Sequence, residues 1–186
     1  MNRLVVVTVG KTQSGKTTFA RSLEAQLHNS VVIDQDNHAA FINAHYKSLR
    51  PKEGPNTLKY AVTQTIVDYA VNQTEFNLIL CNSNLARKGR TDVLDYVRGK
   101  GFMSILIYFD IPDEVLQARV AESRRSKEIF RSASTFVEVL ARQQSAACRS
   151  EMAAPKADEA DHFFMISRSE DVPAVIGKII GIAERL

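Results

Sequence analysis

The sequence predicts a three-layer α/β/α fold: a five-stranded parallel sheet with helices on both faces and a helical lid. Three observations lead there. Five short apolar or β-branched runs alternate with helix-compatible segments, the pattern of strands buried on both faces of a sheet. The first run, Val5-Val6-Val7-Thr8-Val9, leads straight into Gly10-Lys11-Thr12-Gln13-Ser14-Gly15-Lys16-Thr17. Polar groups then stand at strand ends, namely Asp34 and Asp36, Asn82 and Asn84, and the loop after Ile166, which is where such sheets bind ligands.

Each element has its own warrant. Residues 3–9 are the first strand and 15–27 the helix after the glycine-rich turn. Val31, Val32 and Ile33 form a short buried strand ending in Asp34-Gln35-Asp36. A helix is expected from about Asn37 to Tyr46, and Pro51, Gly54 and Pro55 make 47–56 a loop. Residues 57–73 carry Leu58, Ala61, Val62, Thr65, Ile66 and Tyr69 at helical spacing. The third strand is 76–81, followed by a polar, irregular stretch over 82–90. A helix over 92–100 has Val93, Leu94 and Val97 on one face and ends at Gly99 and Gly101. The fourth strand is 102–109. Pro112 opens a helix from a favoured first-turn position, with Val115, Leu116 and Val120 inward and Arg119 beside them. Residues 123–133 are polar and basic, the expected lid. Residues 136–148 are helical, 150–160 a small, acidic surface connection, 162–166 the fifth strand and 171–186 a closing helix.

The glycine-rich turn reads G-x-x-x-x-G-K-T, the phosphate-binding P-loop, in its required place between a buried strand and a helix N-terminus. Gly10 and Gly15 let the main chain approach a phosphate. The backbone N–H groups of Thr12, Gln13, Ser14, Gly15, Lys16, Thr17 and Thr18 are expected around the phosphates, with the helix dipole behind them. Lys16 reaches the β- and γ-phosphates, and Thr17 offers a hydroxyl to Mg²⁺. The ligand is therefore a nucleoside triphosphate, taken as ATP with Mg²⁺.

At 186 residues, with 45% apolar and 24% charged residues, the chain is expected to form one domain, 1–186. No apolar run approaches the roughly 18 residues of a membrane span, and residues 1–10 read as the first strand rather than a leader. Cys81 and Cys148 stand alone, which argues against a disulfide framework or metal cluster and suits a cytoplasmic protein. His28, His38, His45 and His162 show no ligand spacing. The net charge of +3 does not by itself indicate nucleic acid. Two basic clusters stand out. Arg87, Lys88, Arg90, Arg98 and Lys100 are either a solvated helix face or a phosphate patch. Arg119, Arg124, Arg125, Lys127 and Arg131 fit phosphate binding better.

Phosphoryl transfer to a hydroxyl needs a carboxylate beside the nucleotide as base or orienting group. Asp34 and Asp36 follow the second strand, and at most one of them is expected to face the γ-phosphate. Asp36 is favoured as base. Asp34 is left to hold water around Mg²⁺ or brace the loop, and either residue could instead cap the next helix. Arg119 and Arg124, with Arg125, supply guanidinium groups that clamp phosphate oxygens and close over the site. The adenine is expected between Arg119 and the loop at Ser167 and Arg168.

Four segments together resemble P-loop kinases of the polynucleotide kinase group, in particular the kinase domain of phage polynucleotide kinase. They are the P-loop at 10–17, Val-Ile-Asp-Gln-Asp-Asn at 32–37, Asn82-Ser83-Asn84-Leu85 with Arg87 and Arg90, and Tyr108-Phe109-Asp110-Ile111-Pro112 leading to Arg119. The resemblance implies a nucleoside-kinase-like P-loop NTPase fold and ATP·Mg²⁺ on Lys16 and Thr17. It also implies that Asp36 activates a hydroxyl and that Arg119 with Arg124 or Arg125 grips phosphates. The acceptor it implies is a polynucleotide 5′-hydroxyl, at the end of DNA or RNA. The sequence departs from the group's pattern at Ala39, where an acceptor-phosphate arginine is expected, and at Asn82, where an acid is expected. Ile-Asp-Gln-Asp is also similar to zeta-toxin kinases, which makes a small nucleotide-like or sugar acceptor the alternative. A module that binds ATP without transferring phosphate is a third reading.

Overall fold

The computed structural model describes residues 3–147 and 154–186. Strands β1 (Arg3–Gly10), β2 (Ser30–Asp34), β3 (Asn77–Cys81), β4 (Phe102–Phe109) and β5 (His162–Ile166) form one sheet in the order β2-β3-β1-β4-β5. All four pairings are parallel. Helices α1 (Lys16–Glu24), α2 (Gln35–His45), α3 (Thr57–Gln73), α4 (Arg87–Gly99), α5 (Asp113–Ala121), α6 (Phe136–Ala147) and α7 (Val172–Ala183) complete the element order. Parallel pairing puts every strand's carboxyl end at the same edge, so the P-loop, Asp34, Asn82 and the loop after Ile166 share one rim.

β1 shows how the apolar runs are used. Leu4 and Val6 pack with Phe19, Ala20 and Leu23 of α1 and with Leu116 of α5. Val5, Val7 and Val9 face the other way, onto Val67 and Ala70 of α3 and Leu94 and Val97 of α4. Burial on both sides is why the run does not alternate with polar residues.

Several expected elements change. α2 starts at Gln35, because Asp34 caps it: Asp34 Oδ1 accepts from the Asp36 N–H at 2.9 Å. α3 buries Thr63, Val67, Ala70 and Val71, whereas the expected stripe leaves Ile66 and Tyr69 exposed. Thr63 is drawn inside by its bonds to the Lys59 carbonyl and to His38. Val115 likewise lies on the outer side of α5. The helical lid is in place an irregular strap over 122–135 between α5 and α6. Asn43 of α2 donates to the Glu128 and Phe130 carbonyls, and Arg131 donates to Pro51 O at 2.7 Å. Cys148 and part of the 150–160 connection lie outside the described residues.

The largest correction concerns Arg90. α4 begins at Arg87, inside the stretch expected to be irregular, and this turns Arg90 into the core, fully buried. Its Nε and Nη2 bond Glu159 at 2.6 and 3.0 Å, and its Nη1 donates to the Asn84 and Leu85 carbonyls. Glu159 is therefore a buried counter-ion, not part of an acidic surface. Arg98 is engaged too, with Ser104 Oγ and the Glu159 carbonyl. Of the first basic cluster, Arg90 and Arg98 are thus held by the fold itself, while Arg87, Lys88 and Lys100 stay exposed. Removing one partner of a buried ion pair strands the other charge. Arg90→Leu is expected to cost about 3–5 kcal/mol in urea denaturation, whereas loss of the exposed Lys88–Asp92 pair through Lys88→Ala costs less than about 1 kcal/mol.

Candidate active site

The P-loop is shaped by close approach. A Cβ on Gly10 would stand 2.9 Å from both Phe109 Cβ and Ser14 Oγ, nearer than real side chains allow. Gly15 caps α1 with φ 99°, a left-handed conformation that glycine adopts without penalty. Lys16 Nζ lies over the loop, donating to Lys11 O at 2.5 Å and Ser14 Oγ at 3.0 Å. Burial lowers its pKa to about 8, although Cys81, Asp36 and Asp34 pull the other way. The Thr12 N–H, expected to face a phosphate, donates to Gln143 Oε1 of α6 at 2.7 Å. The α6 amide oxygen stands where a phosphate oxygen would accept.

The two aspartates separate because the chain turns from strand to helix between them: Asp34 ends β2 and Asp36 lies in the first turn of α2. Asp34, buried at the end of β2, spends Oδ1 on the α2 cap, while Oδ2 accepts from Thr17 Oγ1 at 3.4 Å. The cap alternative therefore applies to Asp34, which faces the P-loop as well. Asp36, in the first turn of α2, is half-exposed and ion-paired with Arg125 Nη2 at 3.1 Å. A cleft of about 480 Å³ is lined by the P-loop, Asp34, Asp36, Arg125 and a lysine the sequence did not mark, Lys59. Burial lowers the Lys59 pKa, with Asp36 and Asp34 opposing. Burial likewise pushes the Cys81 thiol up to about 11, so it stays protonated at neutral pH.

Thr17 Oγ1 and Asp34 Oδ2 are an oxygen pair beside Lys16. Among the described residues no group of three or more His, Cys, Asp or Glu side chains could hold a metal alone. One hydroxyl and one carboxylate fit a Mg²⁺ that arrives with phosphates and keeps its waters.

The expected arginines do not all meet there. Arg119 lies on the far side of the P-loop, donating to Gln13 O at 3.2 Å and Ser169 Oγ at 3.1 Å. It lines a second cleft of about 360 Å³ with Thr18, Phe109, Ile111, Ser169 and Val172. Arg168 does not line it. Its guanidinium is held at 3.8 Å by Asp171 and is 77% exposed, because the turn at 169–171 directs it outward. Arg124 is exposed and makes no hydrogen bond or ion pair among the described residues. Arg125, its neighbour, turns inward instead over the Phe136 ring, 5.5 Å from its centre. Ala39 is buried beside Ile42 on the inner face of α2 and lines no cleft, so the position gives an acceptor no handle.

A recess of about 470 Å³ opens between α3 and α4. Cys81, Asn82, Ser83 and Gln143 line both the recess and the P-loop cleft and so form the wall between them. Lys59 and Gln143 carried no local signal. Each enters from a helix remote in sequence, and only the fold brings it to the P-loop.

The fold has many solved counterparts. Chaetomium thermophilum Kti12, in complex with ADP-AlF3, superposes with TM-score 0.62 at 16% identity, over 94% of this chain and 96% of that one. Mycobacterium tuberculosis APS kinase, with AMPPNP and APS, gives 0.61 at 15%, over 98% of each. A sugar kinase from a Janibacter species gives 0.58 at 19%, over 98% and 92%. No curated protein matches significantly. No described helix is long and apolar enough to cross a membrane. The family model described as AAA domain matches residues 5–149, and the chain belongs to that family.

Proposed function

We propose that the chain is an ATP-dependent phosphotransferase that moves the γ-phosphoryl group to a hydroxyl. One observation carries this reading: Asp36, paired with Arg125, faces Lys16 across a cleft that adjoins a separate recess through a thin polar wall. A nucleotide-binding module needs the cleft but not the recess. The named neighbours include kinases, one in complex with AMPPNP and APS. That supports the reading at the level of fold.

Adenine would rest by Arg119 and Ser169, and the phosphates on residues 12–18. Lys16, cationic at neutral pH, would hold the β- and γ-phosphates, and Mg²⁺, bound with ATP at Thr17 and Asp34, would neutralise their charge. An acceptor hydroxyl reaching over the wall at Asn82 and Ser83 would meet Asp36. Its oxygen bonds to the γ-phosphorus as the bond to the β–γ bridging oxygen breaks. ADP leaves, and the hydroxyl proton passes to the Asp36 carboxylate. The Arg125 guanidinium, released from Asp36, is free to grip the transferring group. Most of the rate would come from positioning and fixed charge.

Of the two acceptors compatible with the sequence, a polynucleotide 5′-hydroxyl and a small molecule, the second is favoured. The recess lies within the roughly 300–1,000 Å³ of small-molecule sites, and Ala39 offers no grip on an acceptor phosphate. The expected result is label transfer from γ-labelled ATP to small alcohols rather than to 5′-hydroxyl DNA or RNA, lost in Lys16→Ala. Asp36→Asn should lower kcat by about 10²–10⁴ with little change in the KM for ATP. Unaltered turnover in that variant would remove Asp36 as base.

Arg125→Ala should lower kcat by about 10²-fold, while Arg124→Ala stays within about threefold of the wild type. The reverse order would restore Arg124 as the clamping residue.

The Lys16 pKa fixes a pH dependence. Lys16 must be charged to hold ATP, so kcat/KM for ATP should fall as pH rises through about 8. Bound triphosphate favours the charged form, so kcat should hold to higher pH. A kcat/KM profile that stays flat well past that point would contradict this role.

A further inference from the structure

The recess has a distinct chemistry. Its charged lining residue among those described is Arg90, already engaged by Glu159 and two carbonyls. The other polar lining is amide or hydroxyl, and one wall is apolar, with Ile33, Val67, Leu80, Leu85 and Val93. A phosphate or carboxylate placed here would lose water and gain no available cation, which is strongly unfavourable. The cations of the site, Lys16, Lys59 and Arg125, all line the nucleotide cleft on the other side of the wall.

Gln35 adds a specific demand. Its Oε1 is buried without a partner, the one such side-chain atom among the described residues. Buried acceptors are almost always satisfied, and this one, closed off from the recess as the side chain stands, meets a ligand donor once the Gln35 amide turns toward the recess that the residue lines. The α2 cap sets it there: Asp34 closes the helix and leaves Gln35 as its first residue, lining the recess. The Asn82 side chain, in the shared wall, also makes no hydrogen bond among the described residues.

We infer that the recess binds an uncharged, polyhydroxylated acceptor with one apolar face, such as a sugar, polyol or nucleoside, selected by Gln35. A non-reacting hydroxyl donates to Gln35 Oε1, Asn82 bonds a second, and a third is presented across the wall to Asp36. This inference rests on the kinase reading for its reaction but not for its binding site.

The test therefore measures binding and transfer separately. The full chain, saturated with AMPPNP, is titrated with hexoses, hexitols and nucleosides, each set beside its monophosphate or carboxylic acid, and its melting temperature is followed. The same panel is offered with γ-labelled ATP. Neutral members should raise the melting temperature and their charged partners should not. Gln35→Met matches the side chain in size and removes only its hydrogen-bonding end. It should raise the acceptor KM or Kd by about tenfold or more, leaving the KM for ATP unchanged and the melting temperature of the free protein unchanged or raised, since a buried unpaired acceptor is removed. A response to the charged members alone, to neither class, or undiminished in Gln35→Met overturns the inference. A neutral member that binds through Gln35 but takes no label leaves the inference standing and overturns the kinase reading.

Discussion

Thr8, fully buried at the end of β1, ties together the two loops on which the site depends. Its Oγ1 donates to Asn82 O at 3.1 Å, and its carbonyl accepts from Asn84 Nδ2 at 2.8 Å. Two residues on, the Gly10 N–H donates to Ser83 O at 2.9 Å. These bonds fasten residues 82–84 to the root of the P-loop. The wall between nucleotide cleft and recess is therefore held by the same strand that positions the phosphates. Asn84 takes φ 45° to turn its amide back toward Thr8. On the proposed reading, the geometry that carries the nucleotide would also set how far an acceptor hydroxyl stands from it.

Charge is divided along the same line. On the nucleotide side Lys16, Lys59 and Arg125 face Asp34 and Asp36, a mixed field suited to a polyanion and its metal. Burial weakens the hold of Lys16 on its proton, and the arriving phosphates restore it. In the recess, Arg90 is held by Glu159 inside the fold. Arg125, paired with Asp36, satisfies a carboxylate that otherwise faces solvent, and it lies on the strap between α5 and α6.

Much of this was legible in the sequence. The five apolar runs gave strands that match within a residue or two, because strands of a covered parallel sheet read as short continuous apolar runs bounded by polar residues. The P-loop motif fixed the nucleotide cleft, and Asp34 and Asp36 fell at its rim as their place after β2 required. What could not be read were faces and distant partners. The α3 stripe turned the other way because Thr63 found buried hydrogen bonds that hydropathy does not register. Arg90 was read with a basic cluster, since its counter-ion Glu159 is 69 residues away. Arg124 and Arg125 are adjacent, and in an irregular strap nothing local says which turns inward. Lys59, Gln143 and Gln35 entered only through the packing of α2, α3 and α6 around the P-loop.

The central claim is that one hydroxyl crosses from a neutral recess to a charged cleft. The most direct measurement is a crystal structure with AMPPNP and a neutral acceptor that raises the melting temperature. The account predicts the acceptor between α3 and α4, one hydroxyl on Gln35 Oε1 and another within hydrogen-bond distance of the Asp36 carboxylate, near the γ-phosphate. An acceptor seated outside the recess, or one whose hydroxyls approach no oxygen of Asp36, would contradict it.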